Sequence, residues 1–276
     1  MNILVTLNAN YIPQLIIMLR SVLLSNPGKN INVYIAHSSL TEEDFREVRT
    51  RIHHPRCQII NVKISGSLFK DAPATDRYPK EMYYRIFAGQ YLPRDLNRIL
   101  YLDPDLVVIN PLTKLYEIDF AGNLFAAASH VKNKVARKIN EKRLDMPQNS
   151  TYINSGVMMM NLELLRQEQN PQEVYDYIAR RKKYLILPDQ DVINGVYGNR
   201  TLPLDAMVYN LSDRYLLLHN INPKNIGNKK DISWIKRHTV IIHYCGRNKP
   251  WKENYLGVLG KFYTQFSTID DIKEIV

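Results

Sequence analysis

The feature that most constrains the fold is a regular alternation of apolar runs and amphipathic segments in the first third of the chain. The apolar runs, which read as strands, cover residues 2–8, 31–37, 57–64 and 98–102. The segments between them, which read as helices, cover residues 12–28, 41–52 and 79–92. Such alternation is typical of parallel strands covered by helices. We therefore expect an α/β fold with a mostly parallel central sheet.

The rest of the chain is less regular. Further strands are predicted at residues 123–129, 152–161 and 238–243, and further helices at 162–184, 189–198 and 256–266. No Pro/Gly/Ser-rich linker divides the chain, so we expect a single domain over residues 1–276. Within it, residues 1–110 would form one half, built of βα units, and residues 111–276 a second half that completes the site. Residues 129–152 and 208–238 read as loops inserted near a site.

Composition narrows the class of protein. Lys and Arg outnumber Asp and Glu by 37 to 27, a net charge of +10, so an anionic surface is a candidate partner. No nucleic-acid-binding signature accompanies this charge. Cys57 and Cys245 have no metal-like spacing and suggest no disulfide framework. The lack of a disulfide framework favours the cytoplasm. The apolar N-terminus is interrupted by polar residues, which argues against a signal peptide or a spanning helix.

Two aspartates, Asp103 and Asp105, follow the predicted strand at 98–102 and are separated only by a proline. Carboxylates this close repel one another, so the pair calls for a cation or an exposed position. Open α/β sheets bind ligands at the carboxyl ends of their strands. His243 ends another predicted strand, and two carboxylates with an imidazole suit Mn²⁺ better than Ca²⁺. The alternative is a chance triplet and a structural histidine.

Other polar positions allow two interpretations each. Lys249 either holds a phosphate or is a solvent-exposed lysine. Arg85 is either a phosphate or sugar ligand or a surface residue. Asp189, at the start of a predicted helix, either contacts a ligand or caps the helix. The polar triplet at 154–156 is unusual in a buried strand and indicates a ligand contact or a turn.

Six motifs in this order resemble glycosyltransferase family 8, the retaining enzymes that include bacterial lipooligosaccharide galactosyltransferases and glycogenin. The motifs are NANY, YYR, YLDPDLVV, YINSGVMMMNL, LPDQDVINGV and HYCGRNKPW. The resemblance runs from residue 1 to about residue 260. It implies a GT-A fold, a Rossmann-like domain that uses a nucleotide-diphospho-sugar. The implied donor is a UDP-sugar, and the implied cofactor is Mn²⁺, with Mg²⁺ as an alternative.

The resemblance also implies a metal site and a diphosphate site. Asp103 and Asp105 match the metal-binding DxD, and His243 matches the third protein ligand in HYCG. Asp103 belongs to the donor-binding set as well. Lys249 matches the lysine that grips the diphosphate, and Gly246 would let the backbone come close to it.

The sugar-binding and catalytic residues follow from the same resemblance. Arg85 resembles the family arginine near the donor sugar and phosphates. Asn154 and Asp189 resemble residues that hold sugar hydroxyls, and Gln190 matches the polar group beneath the anomeric carbon. The candidate catalytic residues are therefore Gln190, Asp189 and Arg85.

The nucleoside side departs from the family pattern at one position. Asn10 and Tyr11 resemble residues that meet the nucleoside, Tyr11 by stacking beside the base. Asn8 stands where the family usually has an aspartate that reads uracil, and an amide carbonyl accepts more weakly than a carboxylate. On the acceptor side, His130 stands where the family often has an aspartate.

The reaction implied by the resemblance moves glucose or galactose from UDP to a hydroxyl with retention of configuration. The acceptor would be a cell-surface glycan, a glycolipid or a glycoprotein. Retaining hydrolases use a carboxylate nucleophile, but the matched residue Gln190 is an amide and a poor nucleophile. We therefore expect front-face attack, in which the leaving phosphate oxygen helps to deprotonate the acceptor.

Three other functions remain as alternatives. A haloacid-dehalogenase-like phosphohydrolase also has a DxD at a strand end, but its nucleophilic aspartate usually ends the first strand, unlike Asp103. A nucleotide-sugar-binding protein without turnover would explain Asn8 and His130. A self-glycosylating, glycogenin-like protein would use one of the 18 tyrosines.

Contact with the inner face of a membrane would rest on surface charge.

Overall fold

The computed structural model describes residues 1–65, 80–131 and 133–269. Its strands are β1 (Asn2–Thr6), β2 (Ile31–His37), β3 (Cys57–Lys63), β4 (Arg98–Leu102), β5 (Leu106–Val108), β6 (Phe125–Ala128), β7 (Val157–Asn161), β8 (Thr201–Leu204) and β9 (Ile241–His243). Every strand predicted from the sequence has a counterpart here, although β7 is shorter than predicted because the polar triplet ahead of it forms a turn.

Among the described residues, the main sheet has the strand order β3-β2-β1-β4-β7-β6-β8. Only β7 runs against the other strands of this sheet, so the prediction of a mostly parallel sheet is confirmed. A second, antiparallel pair joins β5 to β9. Strand β8 was not predicted from the sequence. It contains Pro203, which cannot donate to a strand ladder and is tolerated because β8 lies at the sheet edge.

The α-helices are α1 (Ile12–Ser25), α2 (Glu42–Arg51), α3 (Glu81–Tyr84), α4 (Ala88–Tyr91), α5 (Thr113–Tyr116), α6 (Lys134–Leu144), α7 (Leu162–Glu168), α8 (Pro171–Arg181), α9 (Pro188–Tyr197), α10 (Ala206–Tyr209), α11 (Asp213–Ile221), α12 (Ile232–His238) and α13 (Gly260–Ser267). Short 3₁₀ helices cover Ala9–Tyr11, Arg85–Phe87, Lys182–Tyr184, Gly198–Arg200 and Pro223–Asn228. The capping box predicted at Thr41 and Asp44 is present at the start of α2.

Two predictions about the second half were wrong. The helix predicted over residues 162–184 is divided into α7 and α8, because the side chain of Asn170 caps a new helix that starts at Pro171. Residues 129–152, predicted as a loop, contain α6, and residues 208–238, also predicted as a loop, contain the end of α10 and all of α11 and α12. These helices carry few buried residues, so the apolar periodicity that reveals a helix in sequence is weak in them.

Helices cover both faces of the main sheet. In β1, Ile3 and Val5 pack with α1 and α2, whereas Leu4 packs with α3, α8 and α9 on the opposite face. The predicted terminal helix, α13, packs against α1 and β5 and buries Phe262 and its neighbours, as expected. Among the described residues, none of the helices has the combination of length and apolar character that crossing a bilayer requires.

Candidate active site

Strand pairing brings Asp103, Asp105 and His243 together. Asp103 follows β4, and β5 pairs with β9 so that Leu106 lies opposite His243. This register sets Asp105 beside the imidazole, whose Nε2 lies 3.1 Å from Asp105 Oδ1 and 3.7 Å from Asp103 Oδ2. One ligand atom from each of the three residues can be chosen so that all lie within 4.8 Å of one another. The three predicted metal ligands therefore form one cluster.

Gly156 lies against this cluster. Its carbonyl oxygen accepts a hydrogen bond from the backbone N–H of Asp103 at 2.8 Å. A Cβ at Gly156 would lie 2.2 Å from His243 Cε1 and 2.6 Å from Asp103 Oδ2. Real Cβ atoms do not approach other atoms this closely, so the cluster can form only beside a glycine. The turn at residues 154–156 is the turn that the polar triplet indicated.

The charges at the cluster balance one another. Burial alone would raise the pKa of Asp105, but the His243 imidazole and the Lys249 ammonium hold that pKa well below its usual range. Burial lowers the pKa of His243, yet the Asp105 carboxylate outweighs this effect and raises it above the ordinary value. Two carboxylates and an imidazole nitrogen are a donor set that suits Mn²⁺ or Mg²⁺. The residues therefore fit a divalent cation.

Lys249 lies beside the cluster. Its ammonium donates to Asp105 Oδ2 and, at 2.8 Å, to the carbonyl of Tyr244. Gly246 adopts a φ of +95°, a conformation that L residues rarely adopt, and thereby turns the chain between β9 and Lys249. Lys249 is thus held by the protein and is not a free surface lysine. An open depression lined by residues 247–249 and 251–254 adjoins it.

Arg85 is buried and connects the two ends of the site. Its guanidinium lies over the Tyr101 ring, 4.1 Å from the ring centre. Nη1 is 3.0 Å from Asp103 Oδ1 and 3.3 Å from Asp189 Oδ2, and it donates to the Ser155 carbonyl at 3.2 Å. Of the two interpretations of Arg85, the ordinary surface residue is therefore wrong. Tyr101, which also donates to Asp103 at 2.7 Å, was missed because a tyrosine in a buried strand reads as core.

Asp189 occupies the start of α9 without capping it. The N-cap residue of α9 is Leu187, which makes no side-chain capping bond. The Asp189 carboxylate accepts from Ser155 Oγ at 3.1 Å and faces Arg85. Burial raises the pKa of Asp189, and Arg85 opposes that rise. The capping interpretation of Asp189 is therefore wrong.

Gln190 is held at both ends of its amide. Its Oε1 accepts from Asn154 Nδ2 at 3.1 Å and from the Ser155 N–H at 3.3 Å, and its Nε2 donates to the Tyr152 hydroxyl at 2.9 Å. That hydroxyl donates in turn to Asp191 Oδ1 at 2.7 Å. Tyr152 and Asp191 were not identified from the sequence, because Tyr152 resembles an ordinary buried aromatic residue and Asp191 an ordinary acidic residue in the first turn of a helix. Together they fix the orientation of Gln190.

Asp191 is the anchor of this arrangement. It accepts two hydrogen bonds from Arg143, at 2.8 and 3.0 Å, and bonds from the backbone N–H groups of Ile186 and Leu187 at 2.7 and 3.0 Å. Buried carboxylates persist when they are paired and hydrogen-bonded in this way. Arg143 comes from α6, so one of the segments predicted as a loop supports the site from a helix.

Asn210 links the metal cluster to the Gln190 side of the site. Its Oδ1 lies 3.0 Å from His243 Nδ1, and its Nδ2 donates to Asn154 Oδ1 at 3.0 Å. Its backbone carbonyl accepts from His130 Nε2 at 2.6 Å. Asn210 was also missed, because an asparagine between two predicted elements reads as a turn residue. His130 therefore serves this link, and burial lowers its pKa.

The predicted nucleoside residues lie at the carboxyl end of β1, the neighbour of β4. Asn8 Oδ1 accepts from the backbone N–H of Asn10 at 3.1 Å and so caps the short 3₁₀ helix Ala9–Tyr11. Asn10 is exposed and Tyr11 is half-buried. The last residue of β1, Thr6, connects this region to the metal cluster, because its hydroxyl lies 3.1 Å from the hydroxyl of Tyr101, which donates to Asp103.

Comparison with known proteins places the sequence in a defined group. The family profile described as "Glycosyl transferase family 8" matches residues 2–255. The chain is 26% identical to a lipopolysaccharide 1,2-glucosyltransferase of Escherichia coli (strain K12), over 95% of this chain and 76% of that protein. It is 24% identical to a lipopolysaccharide 1,3-galactosyltransferase of Salmonella typhimurium, over 85% of this chain and 68% of that protein.

A solved structure shares the fold. The galactosyltransferase LgtC in complex with donor and acceptor sugar analogues superposes with a TM-score of 0.78 at 21% identity, covering 99% of this chain and 98% of that one. At this identity the likeness establishes the fold alone. The architecture is therefore the GT-A type of α/β fold, as the sequence predicted.

Proposed function

The chain belongs to glycosyltransferase family 8 and is a glycosyltransferase, and from this premise we propose that it moves glucose or galactose from a UDP-sugar to a hydroxyl acceptor with retention of configuration. The observation that carries the proposal is the cluster of Asp103, Asp105 and His243 with Lys249 beside it. This arrangement combines hard metal ligands with a positive charge, which are the two requirements of a diphosphate leaving group.

Asp103, Asp105 and His243 would hold Mn²⁺, or Mg²⁺ as an alternative. The ion supplies Lewis-acid neutralisation of the charge that develops on the departing diphosphate. The protein supplies the rest of the positive charge. Lys249 is already oriented by the Tyr244 carbonyl, so its ammonium can contact the diphosphate at little cost in side-chain entropy. Gly246 lets the backbone approach the same group.

Arg85 would bind the donor between its phosphates and its sugar. The contacts with Asp103 and Asp189 prevent the guanidinium from moving, and the Tyr101 ring supports it from below. An arginine that is held before the substrate arrives stabilises developing negative charge without reorganisation. Asn154 and Asp189 would accept or donate hydrogen bonds to the sugar hydroxyls.

Gln190 would lie beneath the anomeric carbon. Because both ends of its amide are already hydrogen-bonded, it can stabilise positive charge on the sugar by its dipole but cannot act as a strong nucleophile. We therefore propose front-face attack, with the proton of the acceptor passing to the leaving phosphate oxygen. A covalent glycosyl adduct on Gln190 or Asp189, detected by mass spectrometry of the intact protein, would contradict this route.

Asn8, Asn10 and Tyr11 would meet the nucleoside. The Asn8 carbonyl already accepts the backbone N–H of Asn10, so the second lone pair of that oxygen is left for a base N–H. Tyr11 would stack beside the base. We expect uridine to be preferred, and the Asn8→Asp substitution to strengthen the preference because a carboxylate accepts with charge assistance.

The second substrate is the acceptor of the sugar. The names of two relatives state that they transfer sugars to lipopolysaccharide. By analogy we propose a carbohydrate acceptor that belongs to a glycolipid or to another cell-envelope glycan. We further propose a cytoplasmic protein that works at the inner face of a membrane, because its net charge of +10 suits an anionic surface.

The test is release of UDP from a panel of UDP-sugars, with and without Mn²⁺, for the natural protein and for Asp103→Asn combined with Asp105→Asn. The proposal predicts metal-dependent release from one UDP-hexose, lost in the double variant. The Asp119→Asn variant, which changes a carboxylate outside the site, should keep full activity. Tight UDP binding without release would favour a binding protein, and label incorporated into the protein itself would favour self-glycosylation.

A further inference from the structure

A helical hairpin next to the site exposes an apolar surface. The hairpin consists of α11 and the 3₁₀ helix Pro223–Asn228. Four of its side chains, Leu217, Leu218, Ile221 and Ile226, are between 51% and 71% exposed. Leu217 and Leu218 are four and three positions before Ile221, so these three side chains share one face of α11. We call these four residues the hairpin surface.

The hairpin is a hydrogen-bonded element and not an isolated loop. The Asn220 side chain donates to the Lys230 carbonyl at 3.0 Å and accepts from the Lys230 N–H at 2.9 Å. His219 Nε2 lies 3.0 Å from the Asn228 carbonyl, and Asn225 donates to the His219 carbonyl at 3.0 Å. The hairpin surface is therefore presented by a defined backbone.

Positive charge predominates in the segment that carries the hairpin surface. The segment from 213 to 238 contains two acidic residues, and both are used within the fold: Asp213 accepts from the Leu259 N–H at 3.1 Å, and Asp231 accepts from the Trp234 N–H at 2.7 Å. The basic residues of the segment are Arg214, Lys224, Lys229, Lys230, Lys236 and Arg237. All of these except the half-buried Lys230 are exposed.

We propose that the hairpin surface docks the enzyme onto an anionic lipid bilayer. Exposed aliphatic side chains on a segment rich in exposed lysines are the chemistry of interfacial membrane binding, because the aliphatic groups enter the boundary between head groups and acyl chains while the ammonium groups meet lipid phosphates. A soluble polyanion would account for the charge but not for four exposed aliphatic side chains. This inference rests on the proposed function, in which the acceptor is carried by a lipid.

The hairpin is directly connected to the site. Helix α11 begins three residues after Asn210, whose side chain contacts both His243 and Asn154. The backbone carbonyl of Leu211 also accepts from the His243 N–H at 2.7 Å. Docking through the hairpin would therefore hold the site close to the bilayer, within reach of an acceptor that extends from it.

The test is sedimentation of the full chain with vesicles of phosphatidylcholine, with or without phosphatidylglycerol, in the absence of sugar nucleotide. We expect binding only to the anionic vesicles. Leu217→Gln with Ile221→Gln should weaken binding to these vesicles about tenfold or more, because two aliphatic side chains are no longer transferred from water into the bilayer. Lys224→Gln with Lys229→Gln should weaken it about fivefold for each lysine. The matched control is Val135→Gln with Ile139→Gln on α6, which are 65% and 60% exposed and should leave binding unchanged.

Three results would overturn the inference. If the α6 control loses vesicle binding as strongly as Leu217→Gln with Ile221→Gln, the hairpin has no specific role in docking. If only the lysine variant loses vesicle binding, and the natural protein binds heparin as tightly as it binds vesicles, the surface is a site for a soluble polyanion. Concentration-dependent dimers that Leu217→Gln with Ile221→Gln dissociates would identify a second copy of the chain as the occupant. Vesicle sedimentation uses no sugar nucleotide, so its result does not depend on UDP release. Either experiment can fail while the other succeeds, and the failure of this inference is therefore distinguishable from the failure of the proposed function.

Discussion

Asn210 Oδ1 accepts a hydrogen bond from His243 Nδ1 at 3.0 Å and so directs His243 Nε2 toward Asp103 and Asp105. A histidine that binds a metal through one nitrogen is usually oriented by a hydrogen bond at the other. Asn210 is fully buried, so this bond does not compete with water. The orientation of one candidate metal ligand is therefore set by a residue that would not itself touch the metal.

We predict that Asn210→Ala lowers the affinity for Mn²⁺ about 10- to 100-fold, because His243 loses its orienting partner. Calorimetric titration with Mn²⁺ alone measures this without reference to activity. Asn194→Ala is the matched control, since Asn194 is equally buried but bonds only to the Ile153 and Gln190 backbones among its described contacts. An affinity for Mn²⁺ that is the same in both variants would refute the role of Asn210.

Gly156→Ala should prevent the metal cluster from forming. The new Cβ would lie 2.2 Å from His243 Cε1, so the imidazole or the turn must move. We expect a loss of unfolding free energy of about 1–3 kcal/mol, as for overpacked interiors, and no measurable Mn²⁺ binding. Denaturant unfolding and Mn²⁺ titration report the two effects. Gly227→Ala, at a position with no atom within 4 Å of the added Cβ, should change neither.

Tyr152→Phe should loosen Gln190 while leaving Asp191 paired with Arg143. The buried Nε2 of Gln190 would lose its acceptor, which costs about 1–3 kcal/mol of stability. We expect kcat to fall about tenfold or more with little change in the KM for the donor, if Gln190 acts on the transition state. Tyr177→Phe removes another buried hydroxyl, which donates to the Leu144 carbonyl, and should leave kcat unchanged.

His130 should make stability depend on pH on the acid side. Burial lowers its pKa below the ordinary value of 6.5, so the unfolded chain binds the proton more tightly than the folded one. The unfolding free energy should therefore fall as the pH drops below about 6.5, until the lowered pKa of the folded state is passed. His130→Gln should flatten this part of the curve. His53→Gln, at an exposed histidine, should leave the curve as it is.

Several parts of the fold were readable from the sequence because their signals lie within a few neighbouring residues. Strand β4 is a short buried apolar run, and its boundaries matched the prediction. The capping box of α2 depends on Thr41 and Asp44 alone. The charged candidates at the ends of β4 and β9 were also identified, because Asp103, Asp105 and His243 follow recognisable strands.

The residues that hold the candidate site residues in place could not be predicted from such local signals. Tyr101 and Tyr152 resemble ordinary buried aromatic residues, and Asn210 resembles a turn residue. What distinguishes each is a single partner that is remote in the chain, such as the Arg85 guanidinium over Tyr101 or the His243 imidazole beside Asn210. The segments predicted as loops belong to the same group, since α6 contributes Arg143 to Asp191.

The sequence by itself determined the alternation of strands and helices in the first third of the chain, the family, and the chemical types of the candidate metal and diphosphate ligands. Only the tertiary structure decided how these groups meet: Asp105 and His243 are 138 residues apart and come within 3.1 Å because β5 pairs with β9. Local propensity and hydrophobic periodicity act over a few residues. Strand register and side-chain orientation depend on packing across the whole sheet, so they arise only when the chain has folded.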